Sequence, residues 1–158
     1  MATDRQARTI QGVTHGTAVV RLSHTDCTTA GVAQTITLAT LRAAHPNGAA
    51  GLVPAKARIT KMWINLIELF AGGSVATCVL NVGEVSGDVD ELMAAEDIFT
   101  GATLGIVIGA GAFTLGTYGA AYLGQCTVTT TTDNVDALTT GEAEICIQYE
   151  SHTTDALT

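Results

Sequence analysis

The chain has 158 residues, of which 47% are hydrophobic, 14% are charged and 4% are aromatic. This length suits one domain with a substantial core. The net charge of -8 argues against nucleic acid as a partner, because phosphate binding needs a basic face. The first residues, MATDRQARTIQG, lack the apolar core of a signal peptide, so we expect no secretion.

Charge is distributed unevenly along the chain. All seven basic residues lie at or before Lys61, whereas thirteen of the fifteen acidic residues follow it. Two hypotheses fit this asymmetry. The N-terminal half docks on an acidic partner, such as the C-terminal half of a neighbouring copy, or both halves are solvated faces without a partner.

The four cysteines form no CxxC pair and no zinc-type spacing. With secretion unsupported, reduced and mostly buried thiols are the favoured interpretation. The cysteines are Cys27, Cys78, Cys126 and Cys146.

The N-terminal part of the chain predicts an arm followed by two strands. Residues 1–12 are mostly polar and are predicted to form an extended arm, and residues 13–158 a single domain. Weak strand patterns cover Thr17–Ser23 and Gln34–Leu41. Between them lies SHTDC, which we interpret as a turn with a buried cysteine, because catalytic triads bring their members together from distant points of a chain.

The central part predicts two strongly apolar strands. KARITKMWINLIELF and SVATCVLNVGE flank Ala71-Gly72-Gly73, which predicts a hairpin turn, because glycine adopts positive φ without steric cost. Both alternating sets of the first run are apolar. This pattern predicts a strand covered on both faces, in a sandwich or at a subunit interface.

The acidic segment SGDVDELMAAEDIF predicts a short helix. Ser86 or Asp88 would be its N-cap, with acids in the first turn. Asp88, Asp90 and Glu91 are also weak calcium candidates, although the glycine precedes the acids here and so departs from the EF-hand order. We predict no other metal and no cofactor.

The stretch Phe99–Gln125 contains no charged residue. Its length allows a membrane span, but many Gly and Thr residues dilute it and no Lys or Arg flanks it. We therefore expect no membrane span, but a buried segment with a strand over Leu104–Ile108. Four aromatic residues are candidates for the core or for an oligomer interface. They are Trp63, Phe113, Tyr118 and Tyr122.

The last part predicts two further strands, CTVTTT over Cys126–Thr131 and GEAEICIQYE over Gly141–Glu150. The second alternates an apolar set with an acidic set, which indicates one buried face. The predicted fold is all-β: an antiparallel β-sandwich or jelly roll with one short helix and an extended N-terminal arm. The sequence contains no Walker loop, GxSxG or GxGxxG pattern, so we predict that the protein is not an enzyme.

The run ARITKMWINLIELFAGGSVATCVLNVGEVSGDVDELMAAEDIFTGA, followed by YLGQCTVTTTTDNVDALTTGEAEICIQYE, resembles a group of small virion proteins of tailed phages. These are the capsid decoration, or cement, proteins of jelly-roll type. The resemblance rests on a strand ending in Glu68-Leu69-Phe70, a glycine turn, and a second strand ending in Val82-Gly83. It continues through Thr140-Gly141 to a strand ending in Gln148-Tyr149, and covers approximately the last hundred residues.

The resemblance implies a non-enzymatic structural protein on the capsid surface, made in the host cytoplasm. Its partners would be itself, as a homotrimer, and the major capsid protein, with neither nucleic acid nor membrane. Candidate capsid contacts are Arg5, Arg8, Arg21 and Arg42. Two alternatives stay open: a phage tail, head–tail or shell component, and a glycan-binding β-sandwich module.

Overall fold

The computed structural model describes residues 10–46, 53–54, 57–84, 90–107 and 124–155. These residues form eight strands, one α-helix and two short 3₁₀ turns, at His24–Asp26 and Val135–Ala137. The larger elements are β1 (Ile10–Ser23), β2 (Ala33–Thr37), α1 (Leu38–Ala44), β3 (Arg58–Ala71), β4 (Thr77–Glu84), β5 (Met93–Asp97), β6 (Gly105–Val107), β7 (Gly124–Thr131) and β8 (Thr140–Asp155).

The strands form two four-stranded antiparallel sheets. The first sheet has the order β1-β8-β3-β6 and the second β2-β7-β4-β5. Every consecutive pair of described strands except β4 and β5 lies in different sheets, so the chain wraps around the sandwich in the strand order of an eight-stranded jelly roll. The predicted all-β sandwich is confirmed.

The core lies between the two sheets and follows the predicted alternation. In β8, Ala143, Ile145 and Ile147 are buried, and the intervening Glu144 and Cys146 lie on the opposite face of the strand. The second sheet contributes Cys78, Leu80, Val82, Cys126 and Val128 to the same core. Each fully buried Leu or Ile side chain stabilises the fold by roughly 1.5–3 kcal/mol relative to exposure.

The α-helix lies where a strand was predicted. β2 ends at Thr37, and α1 begins at Leu38. The Thr37 hydroxyl accepts the N–H of Thr40 at 3.1 Å, which satisfies one of the unpaired donors of the first helical turn. Leu38 and Leu41 are both buried, at the i, i+3 spacing of one helix face. The predicted strand over Gln34–Leu41 is therefore wrong in its second half.

Conversely, the acidic segment predicted as a helix contains a strand. Met93 pairs with Val82 and Asp97 with Val79 in the second sheet. Ala95 has a φ of +46° and donates its N–H to the side-chain oxygen of Asn81, a conformation that no α-helix contains. Burial of Met93 against the core outweighed the local helical preference. The helix prediction is wrong for the described residues from 90 onward.

The glycine turn after β3 is confirmed, but it does not make a hairpin. Gly73 has a φ of +54°, in the left-handed region that favours glycine. A Cβ at Gly72 would collide with the backbone of Ala137 and Leu138. However, β3 pairs with β6 and β8, whereas β4 pairs with β5 and β7. The turn therefore carries the chain from one sheet to the other, and the predicted pairing is wrong.

β1 and β8 extend beyond the rest of the first sheet. They pair from Ser23↔Glu142 to Ile10↔Asp155, whereas the pairing of β3 with β8 stops at Arg58↔Glu150. Just before β3, the Ala57 N–H donates to the Pro54 carbonyl at 3.3 Å. Residues 10–14 and 151–155 thus form a two-stranded projection, called here the β1–β8 ribbon. Residues 10–12 of the predicted arm belong to β1, and residues 1–9 lie outside the described residues.

The uncharged stretch divides between two sheets. Its described residues include β6 in the first sheet, which confirms a strand over the LGIVI run, and the start of β7 in the second. Residues 108–123 lie outside the described residues. Within the described part of the chain, no helix has the length and apolar character needed to cross a membrane.

Candidate interaction surface

The outer face of the first sheet carries an apolar row across three strands. Val19 of β1 is in register with Cys146 of β8, which is in register with Trp63 of β3. Cys146 is only 5% exposed although it lies on this outer face. Trp63 is half-buried and does not belong to the core between the sheets. Of the two predicted roles, core or oligomer interface, its position is compatible with the second.

Polar contacts surround this row. The Lys61 ammonium lies 5.5 Å from the centroid of the Trp63 ring, within the range of a cation–π interaction. On the other side, the Asn65 amide donates to Glu144 Oε2 at 3.0 Å. These contacts hold the side chains of the face in defined orientations, which reduces the entropy that a partner must remove on binding.

Exposed aliphatic side chains lie at the β6 edge of the same sheet. Ile106 is 71% exposed and Leu104 is 56% exposed. Ile106 is in register with Asn65, and Ile67 of β3 is also exposed. The prediction that both faces of β3 are covered is therefore confirmed for the inner face. On the outer face, the Ile67 side chain is exposed. An apolar centre with a polar surround is typical of protein–protein interfaces.

The two candidate capsid-contact arginines that the structure describes lie on different elements. Arg21 of β1 has a 45% exposed side chain and forms an ion pair with Glu142 of β8 at 2.5 Å. Arg42 lies in the last turn of α1, where a positive charge interacts favourably with the helix dipole. The structure therefore gives each arginine a local electrostatic role. Arg5 and Arg8 lie outside the described residues, as do Phe113, Tyr118 and Tyr122.

The weak calcium candidate is described only in part. Asp90 and Glu91 are half-buried just before β5, and Asp88 lies outside the described residues. Among the residues that the structure describes, no three His, Cys, Asp or Glu side chains are grouped as metal ligands would be.

The SHTDC segment is a turn with a buried cysteine, as predicted. Asp26 Oδ2 accepts the backbone N–H of Ser23 at 2.8 Å and lies 2.8 Å from His45 Nε2. This contact ties the end of α1 to the end of β1. Burial, assisted by the Asp26 charge, raises the pKa of the Cys27 thiol to about 12, so Cys27 stays protonated at neutral pH and is a poor nucleophile.

All four cysteines are free in the structure and buried, which confirms the predicted burial. Desolvation by burial raises the pKa of Cys78 and of Cys126 to about 12. It raises the pKa of Cys146 to about 11. These thiols act as small apolar side chains.

The outer face of the second sheet has a different character. Thr35 and Thr127 hydroxyls lie 2.9 Å apart, and those of Thr77 and Thr131 lie 2.7 Å apart. These cross-strand pairs satisfy one another and stabilise the sheet. Because the paired hydroxyls are already engaged, the first sheet is the better candidate for an interaction surface.

The sequence predicted part of this surface. The doubly apolar pattern of β3 indicated Trp63 and Ile67 as residues with apolar neighbours or a partner. It missed Ile106, because the place of this residue on the outer face depends on strand register. The alternation in GEAEICIQYE assigned Cys146 to the acidic, outward set, where the structure places it.

Comparisons with known proteins show a fold likeness. A scan of protein-family models finds no match, and no curated protein matches the chain. Among solved structures, the chain is similar to one described as "Cyanophage Pam1 capsid asymmetric unit", with a TM-score of 0.58 and 14% sequence identity. The alignment covers 94% of this chain and 96% of that one. At this identity the likeness shows a shared fold.

Proposed function

We propose that this protein is a virion structural protein that oligomerises and decorates a phage capsid by binding the major capsid protein. The observation that carries the proposal is the fold likeness to a chain of a cyanophage capsid asymmetric unit, which covers nearly all of both chains. The alignment spans nearly all of both chains, so the likeness concerns the whole domain and not one common motif.

The outer face of the first sheet supports a binding role. It combines the half-buried Trp63 with the exposed Ile106 and Leu104, the residue types that form the centre of interfaces. One such contact is modest, but attachment through several linked copies multiplies its effect by avidity. A decoration protein that binds at many equivalent positions needs only this kind of surface.

Copy number in purified particles tests the proposal. Quantitative mass spectrometry of virions should find this chain in a fixed ratio to the major capsid protein, near one copy of the chain per shell subunit. A few copies per particle would instead indicate a tail or head–tail component. Absence from purified virions would contradict a virion role altogether.

Binding to preassembled shells tests the surface. Recombinant protein should co-sediment with capsids that lack it, and the binding should saturate. Ile106→Asp should weaken co-sedimentation by at least about tenfold, because it places a charge in the apolar surface. Val32→Asp changes a side chain that is 55% exposed outside this face, and serves as the matched control. Equal binding by the two variants would exclude this face from the contact.

A further inference from the structure

Within the described residues, neither edge of the β1–β8 ribbon has a strand partner. Beyond Glu150, β8 has no register partner in β3, which begins at Arg58. The ribbon extends five register positions, about 17 Å at 3.4 Å per residue. Two isolated strands are marginally stable in water.

The ribbon lacks the usual devices that protect a sheet edge. Natural edges are blunted by Lys, Pro or β-bulges. The two segments, IQGVT and SHTTD, contain neither Lys nor Pro, and the pairing of β1 with β8 shows no register shift. Their backbone N–H and C=O groups therefore form a regular template for a further strand.

Charge permits the pairing of one ribbon with another. Residues 10–14 of β1 carry no charge, and Asp155 is the one acidic residue of the ribbon. The other acids of β8 lie where that strand is paired with β3. Pairing β8 of one copy with β1 of another therefore places no two acidic residues opposite each other.

We propose that the free edge of β8 in the β1–β8 ribbon pairs with the outer edge of β1 in a second copy of this chain. Repeated around a threefold axis, three ribbons close into a six-stranded antiparallel barrel. The partner is thus the chain itself, and the surface is a backbone edge. This pairing specifies how the protein of the proposed function would oligomerise. It rests on the proposed function only for the role of the trimer, because the pairing itself is argued from the edges of the ribbon.

Closure explains why a ring is favoured over a twofold dimer. A head-to-tail contact that closes satisfies both edges of every ribbon, and a closed barrel has no free edge. A twofold dimer would pair one edge of each ribbon and leave the other open. Two ribbons would enclose only four strands, too few for a barrel with side chains inside, so three copies is the smallest closed ring.

The rest of the domain does not depend on the ribbon. At its base, Gly16 is in register with Tyr149, whose ring lies where a Cβ of Gly16 would be. The core starts at Ala18 in β1 and ends at Ile147 in β8, with Tyr149 packed against it. Val13 and Thr14 in the ribbon are exposed. Changes at these two positions therefore leave the core intact.

Native mass and hydrogen exchange test the edge directly. Light scattering behind a sizing column should give three times the chain mass. Amides of residues 10–14 and 151–155 should be protected from exchange on both edges in the trimer and become exposed on dilution. A monomer at all concentrations would overturn the proposal, and so would an oligomer whose ribbon amides on the free edges exchange freely.

Lysine substitutions provide the second test. Val13 and Thr14 point to opposite faces of β1, so one of them faces the interior of the barrel. Three lysines in that interior cannot be solvated, so V13K or T14K should raise the trimer dissociation constant by at least about tenfold. Val32→Lys, at an exposed position outside the ribbon, should leave it unchanged. A trimer insensitive to both ribbon variants would contradict the proposal.

The same samples separate this inference from the proposed function. A wild-type trimer that fails to bind any capsid would refute decoration and leave the edge pairing standing. If the wild-type protein binds capsids but V13K and T14K leave the trimer dissociation constant unchanged, the edge pairing is refuted and decoration stands.

Discussion

At the scale of single residues, Gly141 has no room for a side chain. It has a φ of +134°, and a Cβ there would collide with the ring and backbone of the fully buried Phe70. We expect Gly141→Ala to lower the free energy of unfolding by about 3 kcal/mol, from backbone strain and overpacking together.

Gly101 offers a control that separates the two effects. Its φ is +114°, and a Cβ there would meet no atom within 4 Å. Gly101→Ala should therefore cost only the backbone strain, about 1–2 kcal/mol. Denaturant unfolding monitored by circular dichroism measures both values. Equal losses would show that the contact with Phe70 contributes nothing.

Asp133 makes one loop contact sensitive to pH. Its carboxylate accepts the N–H of Ser74 at 2.9 Å and that of Asn134 at 2.9 Å, and these bonds hold the pKa of Asp133 below its usual value. A carboxyl with a lowered pKa stabilises the fold above its unfolded pKa, and this contribution is lost as pH falls through the folded value.

Asp133→Ala should therefore melt at a lower temperature than the wild type at pH 7. The difference should shrink as pH falls below about 4, the value of an unfolded aspartate, and further as pH passes the lowered pKa of the folded carboxyl. Asp136→Ala, at an exposed position in the neighbouring 3₁₀ turn, is the matched control. If the difference in melting temperature between Asp133→Ala and the wild type stays constant down to pH 2, the charged carboxylate does not have this role.

At the scale of elements, α1 depends on its N-cap. The Thr37 hydroxyl accepts the N–H of Thr40, and the helix has only seven residues. Thr37→Ala should lower the free energy of unfolding by about 1 kcal/mol, because a backbone donor loses its acceptor. Thr37→Ser keeps the hydroxyl and should stay near wild type in the same denaturant titration. Losses of the same size in both variants would show that the methyl group matters, not the cap.

The same element shows where sequence patterns fail. TITLATL alternates like a strand, yet burial of Leu38 and Leu41 on one helix face favours a helix after Thr37. The acidic segment shows the converse, since Met93 reaches the core only as part of a strand beside β4. In both cases a partner distant in sequence decided between two locally acceptable conformations.

At the scale of the whole molecule, charge is distributed unevenly between the two ends of the chain. The basic residues Arg5 and Arg8 precede β1, whereas the acids concentrate after Lys61. If the N-terminal residues contact the shell, reversing both charges in R5E/R8E should weaken capsid attachment. The melting temperature and native mass should stay unchanged, because the core begins at Ala18.

Salt dependence provides the readout for this prediction. Wild-type attachment should weaken as ionic strength rises, and the variant should depend on salt less steeply, because screening acts on exposed charges. R21A provides a comparison, since Arg21 already pairs with Glu142. Full occupancy of capsids by R5E/R8E at every salt concentration would exclude the N-terminal arginines from the contact.

The sequence by itself determined the class of fold and the inner faces of its longest strands. The alternation of Ala143, Ile145 and Ile147 with acids needs only the period of a strand, and positive φ at Gly73 needs only the absence of a Cβ. Burial of the four thiols likewise followed from the cysteine spacing and from the lack of a signal-peptide pattern. These features are local, so local pattern sufficed.

Only the tertiary structure decided which strands pair and where the pairing ends. It separated β3 from β4, placed Ile106 beside Asn65, and released β8 from β3 at Glu150 to form the β1–β8 ribbon. Register and sheet order depend on contacts between residues far apart in the chain. A strand has the same local pattern whether its edge is paired or free, so the sequence cannot mark the surfaces that pairing leaves open.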